Sequence, residues 1–286
     1  MIKIARAPVR IDFAGGTTDI YPFTSRYHGI VLNAAINRHV KGRLISNVDS
    51  TKLSYSANIP TGSGLGTSSA MTVVWLGLIS KIKDRKKIAE TVFKLEHDIG
   101  IIGGKQDEYA AAFGGINLWE FNNNEVKRTA MNLDKRIIRK LEASLFLVYV
   151  GKPRYSSEIN GRIIRNLVVG HKTTIEALKN VKEIAVEMKE ALITGRMNRF
   201  ARLMNEEWIN RKRLHPMVTN ARLDSLINNG FKAGCKAAKV CGAAGGGSVL
   251  FYCEDKPKVI NKLKHEEIID FKFDFDGLIV REKKGG

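Results

Sequence analysis

Residues 60 to 70 read Pro-Thr-Gly-Ser-Gly-Leu-Gly-Thr-Ser-Ser-Ala and run straight into an apolar stretch, Met71 to Ile79. Glycine at every second position (Gly62, Gly64, Gly66) strips side chains from a loop, so its amides can approach a ligand closely. Thr67, Ser68 and Ser69 then fall where a helix should start, placing hydroxyls beside unpaired N–H groups and the positive end of the helix dipole. A loop of this kind is a cradle for polyphosphate, framed here by Pro60, Ser63 and Leu65. A serine hydroxyl at that point can also ligand Mg²⁺ while the amides hold phosphates. The pattern GxxxxGK[ST] is not met, because no lysine follows, so this is a different phosphate loop from the commonest one.

Three more blocks carry chemistry. In Ala7-Pro-Val-Arg-Ile-Asp12, Arg10 and Asp12 share a strand parity and can point the same way. Gly15-Gly16 then turns the chain into a polar loop, Thr17, Thr18 and Asp19, where Asp19 is suited to accept hydrogen bonds from ligand hydroxyls. Gly103 to Gly115 encloses Lys105, Asp107 and Glu108 at the start of a small-residue helix, where a carboxylate near the helix dipole and a lysine stays ionised. Glu96 on the preceding helix can face the phosphate loop and complete a Mg²⁺ site. Lys239 to Ser248 is dense in glycine, Gly245 and Gly246 included, which lets backbone pass close to another loop or ligand. Each block alone also reads as ordinary structure: an Arg–Asp surface pair, a first-turn acid, a solvated helix acid, a tight contact between domains.

The elements that position these blocks follow from periodicity. Strands are expected at residues 2–14, 29–36, 40–46, 52–56, 116–121, 125–132, 144–150, 248–253 and 271–280. Helices are expected at 69–82, apolar nearly all round and therefore buried, and at 86–99, 107–113, 158–193 with interruptions, 197–214, 221–230 and 256–265. Mixed elements without regular βαβ repetition favour an α+β class. The natural boundary lies between Asn132 and Leu145, giving units 1–138 and 139–286.

The chain has 286 residues, 44% hydrophobic and 27% charged, an ordinary globular composition. Lys and Arg outnumber Asp and Glu 47 to 29, a balance of +18. The basic runs are interrupted and lack interleaved aromatics, which suits a solvated surface around a small anionic substrate and argues against a specific nucleic-acid ligand. Cys235, Cys241 and Cys253 show no CxxC spacing, and together with the absence of a signal-like start or a membrane span they suggest a cytoplasmic protein. A monomer or homodimer is expected.

In this order and at these separations, the blocks resemble the GHMP kinase superfamily. Ala-Pro-Val-Arg-Ile-Asp is similar to its first motif, Gly-Leu-Gly-Thr-Ser-Ser-Ala to its second and Gly-Ala-Ala-Gly-Gly-Gly to its third. Phe-Ala-Gly-Gly-Thr-Thr-Asp19, the segment around Gln-Asp107, and Gly151-Lys-Pro-Arg154 resemble the heptose-phosphate kinase branch. The resemblance implies an N-terminal α/β domain with a left-handed βαβ crossover, a C-terminal ferredoxin-like domain, and an active site between them. It implies ATP and Mg²⁺, with Asp107 handling the acceptor hydroxyl proton, Arg10 near the transferred phosphoryl, and Ser68 with Glu96 at the metal. Asp19, with Thr17 and Thr18, would meet sugar hydroxyls, and Arg154 would meet the acceptor's own phosphate. The implied activity is transfer of the ATP γ-phosphoryl to a sugar or sugar phosphate. A kinase for a phosphorylated mevalonate-type acid and a non-catalytic binding relative remain open. Two departures stand out. Gly16-Thr17 replaces the Glu-His pair of galactokinases, and Ala244 replaces a usual glycine in the third motif.

Overall fold

A computed structural model describes residues 1–47, 49–123, 125–151 and 156–283. The first half runs β1 (Ile2–Ala14), α1 (Phe23–Tyr27), β2 (Gly29–Ser46), β3 (Thr51–Ala57), α2 (Thr67–Ile79), α3 (Arg85–Asp98), α4 (Gln106–Phe113), β4 (Ile116–Asn122) and β5 (Glu125–Ala130). Then come α5 (Lys135–Ser144), β6 (Leu145–Gly151), α6 (Ser156–Val168), α7 (Lys172–Ile193), α8 (Met197–Lys212), a 3₁₀ turn (Pro216–Val218), α9 (Ala221–Ala233), β7 (Cys235–Val240), β8 (Gly247–Cys253), α10 (Lys256–Lys262), β9 (Glu267–Ile269) and β10 (Ile279–Lys283).

The first sheet is six-stranded, ordered β10-β1-β2-β4-β5, with β3 also paired to β2. β3 and β4 both run antiparallel to β2 and are therefore parallel to each other, joined by the crossover α2–α3–α4. α2 lies on β1 and β2, flanked by α3 and α4. Its apolar face is nearly continuous, with Ala70, Val73, Val74, Leu76 and Leu78 buried, so it behaves as a core helix. That burial fixes the N-terminus of α2, and hence the phosphate loop, at one end of the sheet.

The second sheet is four-stranded and antiparallel, ordered β7-β8-β6-β9. In chain order its elements run β, helices, β, β, helix, β, and from one edge the strands are fourth, first, third, second. This is the ferredoxin-like arrangement expected for the C-terminal half. The two halves interlock. Ile20 and Phe23, from the segment after β1, belong to the second core, while Phe200 and Tyr252 belong to the first. β10 pairs antiparallel with β1, so residues 279–283, assigned to the second unit from the sequence, complete the first sheet.

Several elements differ from the sequence expectation. β2 is one continuous strand, and its central polar residues Asn37 and Arg38 are carried in a bulge opposite Pro8 and Val9, with the Asn37 amide donating to the Lys272 carbonyl. α5 and the buried strand β7 were not anticipated. α5 is short and strongly two-faced, and β7 carries Lys236 and Lys239 among its apolar residues. The strand expected at 271–280 is reduced to a single bridge, Phe273 to Ile36, before β10 begins. Asp274 accepts from the amides of Asp276 and Gly277, and that turn ends the extension. Among the described residues no helix is long and apolar enough to cross a membrane.

Candidate active site

The phosphate loop ends in Gly66, the N-cap of α2, held at φ 73°. Glycine is required twice over, for the left-handed backbone and for space: a Cβ there would sit 3.0 Å from Asp107 Oδ2. No side chain caps α2, so the N–H groups of its first turn remain available to a ligand. The third motif closes over the loop from the other side. Gly62, Ser63, Gly64, Thr67, Ser68 and Ser69 share a cavity of about 200 Å³ with Cys241, Ala243, Ala244 and Gly246. Ala244 has a positive φ, 68°, the backbone region that favours glycine, with its methyl buried. Gly245 faces away from this cavity, against Ile159 and the Met217 carbonyl. Leu65 is a buried core residue, and Pro60 begins the turn outside the cavity lining.

Beside the loop is a second cleft of about 220 Å³, lined by Arg10, Asp12, Gly16, Thr17, Asp19, Glu96, Gln106, Asp107, Glu108 and Arg211 among others. Arg10 and Asp12 both face it, as their parity predicts. Arg10 grips Asp107 in a forked pair, Nε to Oδ1 at 2.7 Å and Nη2 to Oδ2 at 3.0 Å, while Nη1 donates to the Gly64 carbonyl at 2.7 Å. The arginine thus ties the carboxylate to the phosphate loop. Burial pushes the Asp107 carboxyl up, Arg10 opposes this, and the outcome lies above the usual carboxylate range. The Arg10 guanidinium itself is held charged: burial would lower it, but Asp107 and Asp12 raise it further.

Asp19 reaches the same cleft. Its Oδ2 accepts from the Gln106 amide at 3.0 Å, and any Cβ on Gly104 would overlap its carboxylate. Burial pushes Asp19 up to about 6, with the Gln106 amide opposing and Asp107 adding to the rise. Thr17 lines the cleft and accepts from Arg211 Nη1 at 3.0 Å.

Four expectations need correction or qualification. The serine bonded to Glu96 is Ser69, at 2.9 Å, not Ser68. One residue turns a helix by about 100°, which swings Ser68 to the exposed rim. Ser69 and Thr72, three residues apart on one face, grip both oxygens of Glu96. Thr18 is fully buried, and its hydroxyl locks the turn by donating to the Gly15 carbonyl at 2.7 Å and accepting from the Ile30 amide at 3.1 Å. Lys105 turns from the cleft to Glu90, 3.2 Å away, and over the Phe93 ring. Arg154 lies outside the described residues.

The sequence reading passed over a buried group that underlies the cleft. Lys239 donates to the Asp12 carboxylate and carbonyl, both at 2.8 Å, and lies 3.2 Å from Glu207. Arg211, one turn beyond Glu207 on α8, donates to Thr17 and to the Gly242 carbonyl. All four side chains are buried. Lys239 and Arg10 hold Asp12 below the usual carboxylate range against its burial. Glu207 moves the other way, with burial pushing it up and Lys239 and Arg211 opposing. The three N–H donors of Lys239 are taken by Asp12 and the carbonyl of Phe13, which leaves the Glu207 oxygens close to a charge but without a hydrogen bond.

Among the described residues no group of three or more His, Cys, Asp or Glu is arranged to hold a metal unaided. The residues nevertheless fit a Mg²⁺ that arrives with phosphates, since such an ion needs only one or two protein carboxylates. Glu96 and Glu108 flank the Ser69 hydroxyl, and Glu108 Oε2 is buried without a partner.

Residues 30–115 match the family described as GHMP kinases N terminal domain, and residues 188–267 match GHMP kinases C terminal. The chain is 29% identical to a D-glycero-alpha-D-manno-heptose 7-phosphate kinase from Campylobacter jejuni, over 96% of this chain and 97% of that one. The crystal structure of a D-glycero-D-manno-heptose 1-phosphate kinase from Bacteriodes thetaiotaomicron superposes with a TM-score of 0.80 at 25% identity, covering 100% of both chains. A mevalonate kinase from Thermococcus onnurineus is 26% identical over 73% of this chain and 62% of its own.

Proposed function

The chain belongs to the GHMP kinase family, and on that premise we propose that it is an ATP-dependent kinase acting on a phosphorylated sugar, with a heptose phosphate as acceptor. The observation that carries this reading is the forked Arg10–Asp107 pair, buried where the glycine loop meets the cleft.

The pair explains how transfer proceeds. The acceptor hydroxyl enters the cleft beside Asp107, and its oxygen forms the new bond to the γ-phosphorus as the bond to the β–γ bridging oxygen breaks. Asp107 takes the hydroxyl proton, and ADP leaves. Arg10 orients the carboxylate and brings its own charge to the phosphoryl being passed. The amides of Gly62 to Ser69 hold the phosphate chain at the start of α2. Asp19 and Thr17 orient the sugar through its hydroxyls, and Arg154 is assigned the acceptor's phosphate by resemblance. When bound, Mg²⁺ at Glu96 and the neighbouring hydroxyls supplies neutralisation of the β- and γ-phosphates. The surplus of basic residues is read as a solvated face around an anionic small-molecule site.

The experiment is ADP release measured with heptose phosphates and, separately, with mevalonate phosphates. Turnover with a heptose phosphate is expected. Turnover confined to mevalonate phosphates would replace the acceptor class, and ADP release with neither, together with salt-resistant binding of nucleic acid, would overturn the kinase reading.

A further inference from the structure

Directly beside Asp107, one buried acid has no task in the transfer described above. Glu108 sits in the first turn of α4, is 2% exposed and lines the cleft. Its Oε1 shares the Ser69 hydroxyl with Glu96, at 3.4 Å and 2.9 Å, and its Oε2 has no partner. A hydroxyl carries one proton, so Ser69 satisfies one of the two carboxylates at a time. The nearby cations are committed elsewhere, Arg10 to Asp107 and Lys105 to Glu90. Thr72 serves the other oxygen of Glu96 but nothing serves Glu108 Oε2, so two buried carboxylates and one orphan oxygen on a cleft-lining residue form a site short of positive charge.

We infer that Glu108 is a second protein carboxylate for the divalent cation that enters with the nucleotide, facing Glu96 across Ser69. The cation is then held by two carboxylates and the phosphates, a donor set suited to a hard ion. This inference rests on the kinase reading.

Mn²⁺ is the probe, titrated into the protein with ADP and followed by its electron paramagnetic resonance signal. Glu108→Gln keeps the shape and removes the charge. The expected result is unchanged affinity for metal-free ADP and a loss of about 10- to 100-fold in Mn²⁺ affinity of the ADP complex, matched by Glu96→Gln. Wild-type Mn²⁺ affinity in Glu108→Gln would overturn the inference. Should that variant not fold, Glu108→Asp shortens the reach while keeping the charge; weaker Mn²⁺ binding supports the inference, and unchanged binding overturns it. A wild-type protein that binds no ADP, with or without Mn²⁺, fails the kinase reading instead.

Discussion

Two groups of buried charges lie within a few residues of each other, and they are built in opposite ways. Along one wall of the cleft and behind it, Asp12 and Glu207 face Lys239 and Arg211, two acids against two bases, all at 0–1% exposure. In the cleft, Asp19, Glu96, Asp107 and Glu108 converge, and Arg10 is the one base paired with any of them among the described residues. Burying a charge is costly unless it is paired. The balanced group therefore offsets its charges internally, although the Glu207 oxygens and Arg211 Nε lack hydrogen bonds, and it serves as a strut between β1, α8 and β7. The unbalanced group leaves its cost for a ligand to relieve, with a cation, hydroxyls or protons. Charge balance separates scaffold from site more sharply than burial does.

Neutralising one member of each group tests that distinction. Asp107→Asn removes the proton acceptor, keeps the shape and leaves Arg10 one of its two hydrogen bonds. Turnover should fall by about 10²–10⁴-fold, the range for a positioned acid or base, with ATP affinity retained. Near-normal turnover would remove Asp107 from proton transfer. Lys239→Met should do the reverse. It strands Asp12 and Glu207 and should lower unfolding stability by about 3–5 kcal/mol, read by denaturant titration. Replacing Glu207 by Leu in the same chain should recover part of that loss, because fewer charges are then left without partners. A Lys239→Met protein of wild-type stability but without turnover would move this group from scaffold to site.

The unbalanced group was largely legible in the sequence, and the balanced one was not. Asp19 and Asp107 stand out because they follow a glycine turn or open a helix, Arg10 because it shares a strand parity with Asp12, and Glu96 because its helix can face the glycine loop. Glu207 and Arg211 look like surface residues until α8 is laid out: Phe200, Leu203, Met204, Glu207, Trp208 and Arg211 follow core spacing, and all are buried. Lys239 lies in a buried strand, where a lysine reads as an interruption. Their partners lie 31 to 227 positions away, and no local pattern encodes that pairing. Which of two adjacent hydroxyls, Ser68 or Ser69, meets Glu96 was not legible for a smaller reason: a resemblance fixes a motif to within a residue, whereas the direction of a side chain depends on the phase of the helix.

The smallest expected effect concerns Asp19, which belongs to the cleft but stands at its edge. Its carboxyl is pushed up from 3.8 to about 6, mainly by burial. A folded value above the unfolded one means that this group favours the fold most below about 4, and that its contribution is lost as pH rises through about 6. At neutral pH the ionised form therefore weakens the empty protein while it stands ready for ligand hydroxyls. Asp19→Asn should raise the melting temperature by a few degrees at pH 7.5, and the gain should vanish at pH 4. The same variant should raise the acceptor KM by about tenfold or more, the size of a hydrogen bond to a charged group. In the wild type, acceptor KM should climb as pH drops below about 6 while nucleotide KM holds. A carboxylate that both stabilised the empty fold at neutral pH and left acceptor KM unchanged on removal would belong with Asp12 in the strut, and the line drawn between the two groups would have to move.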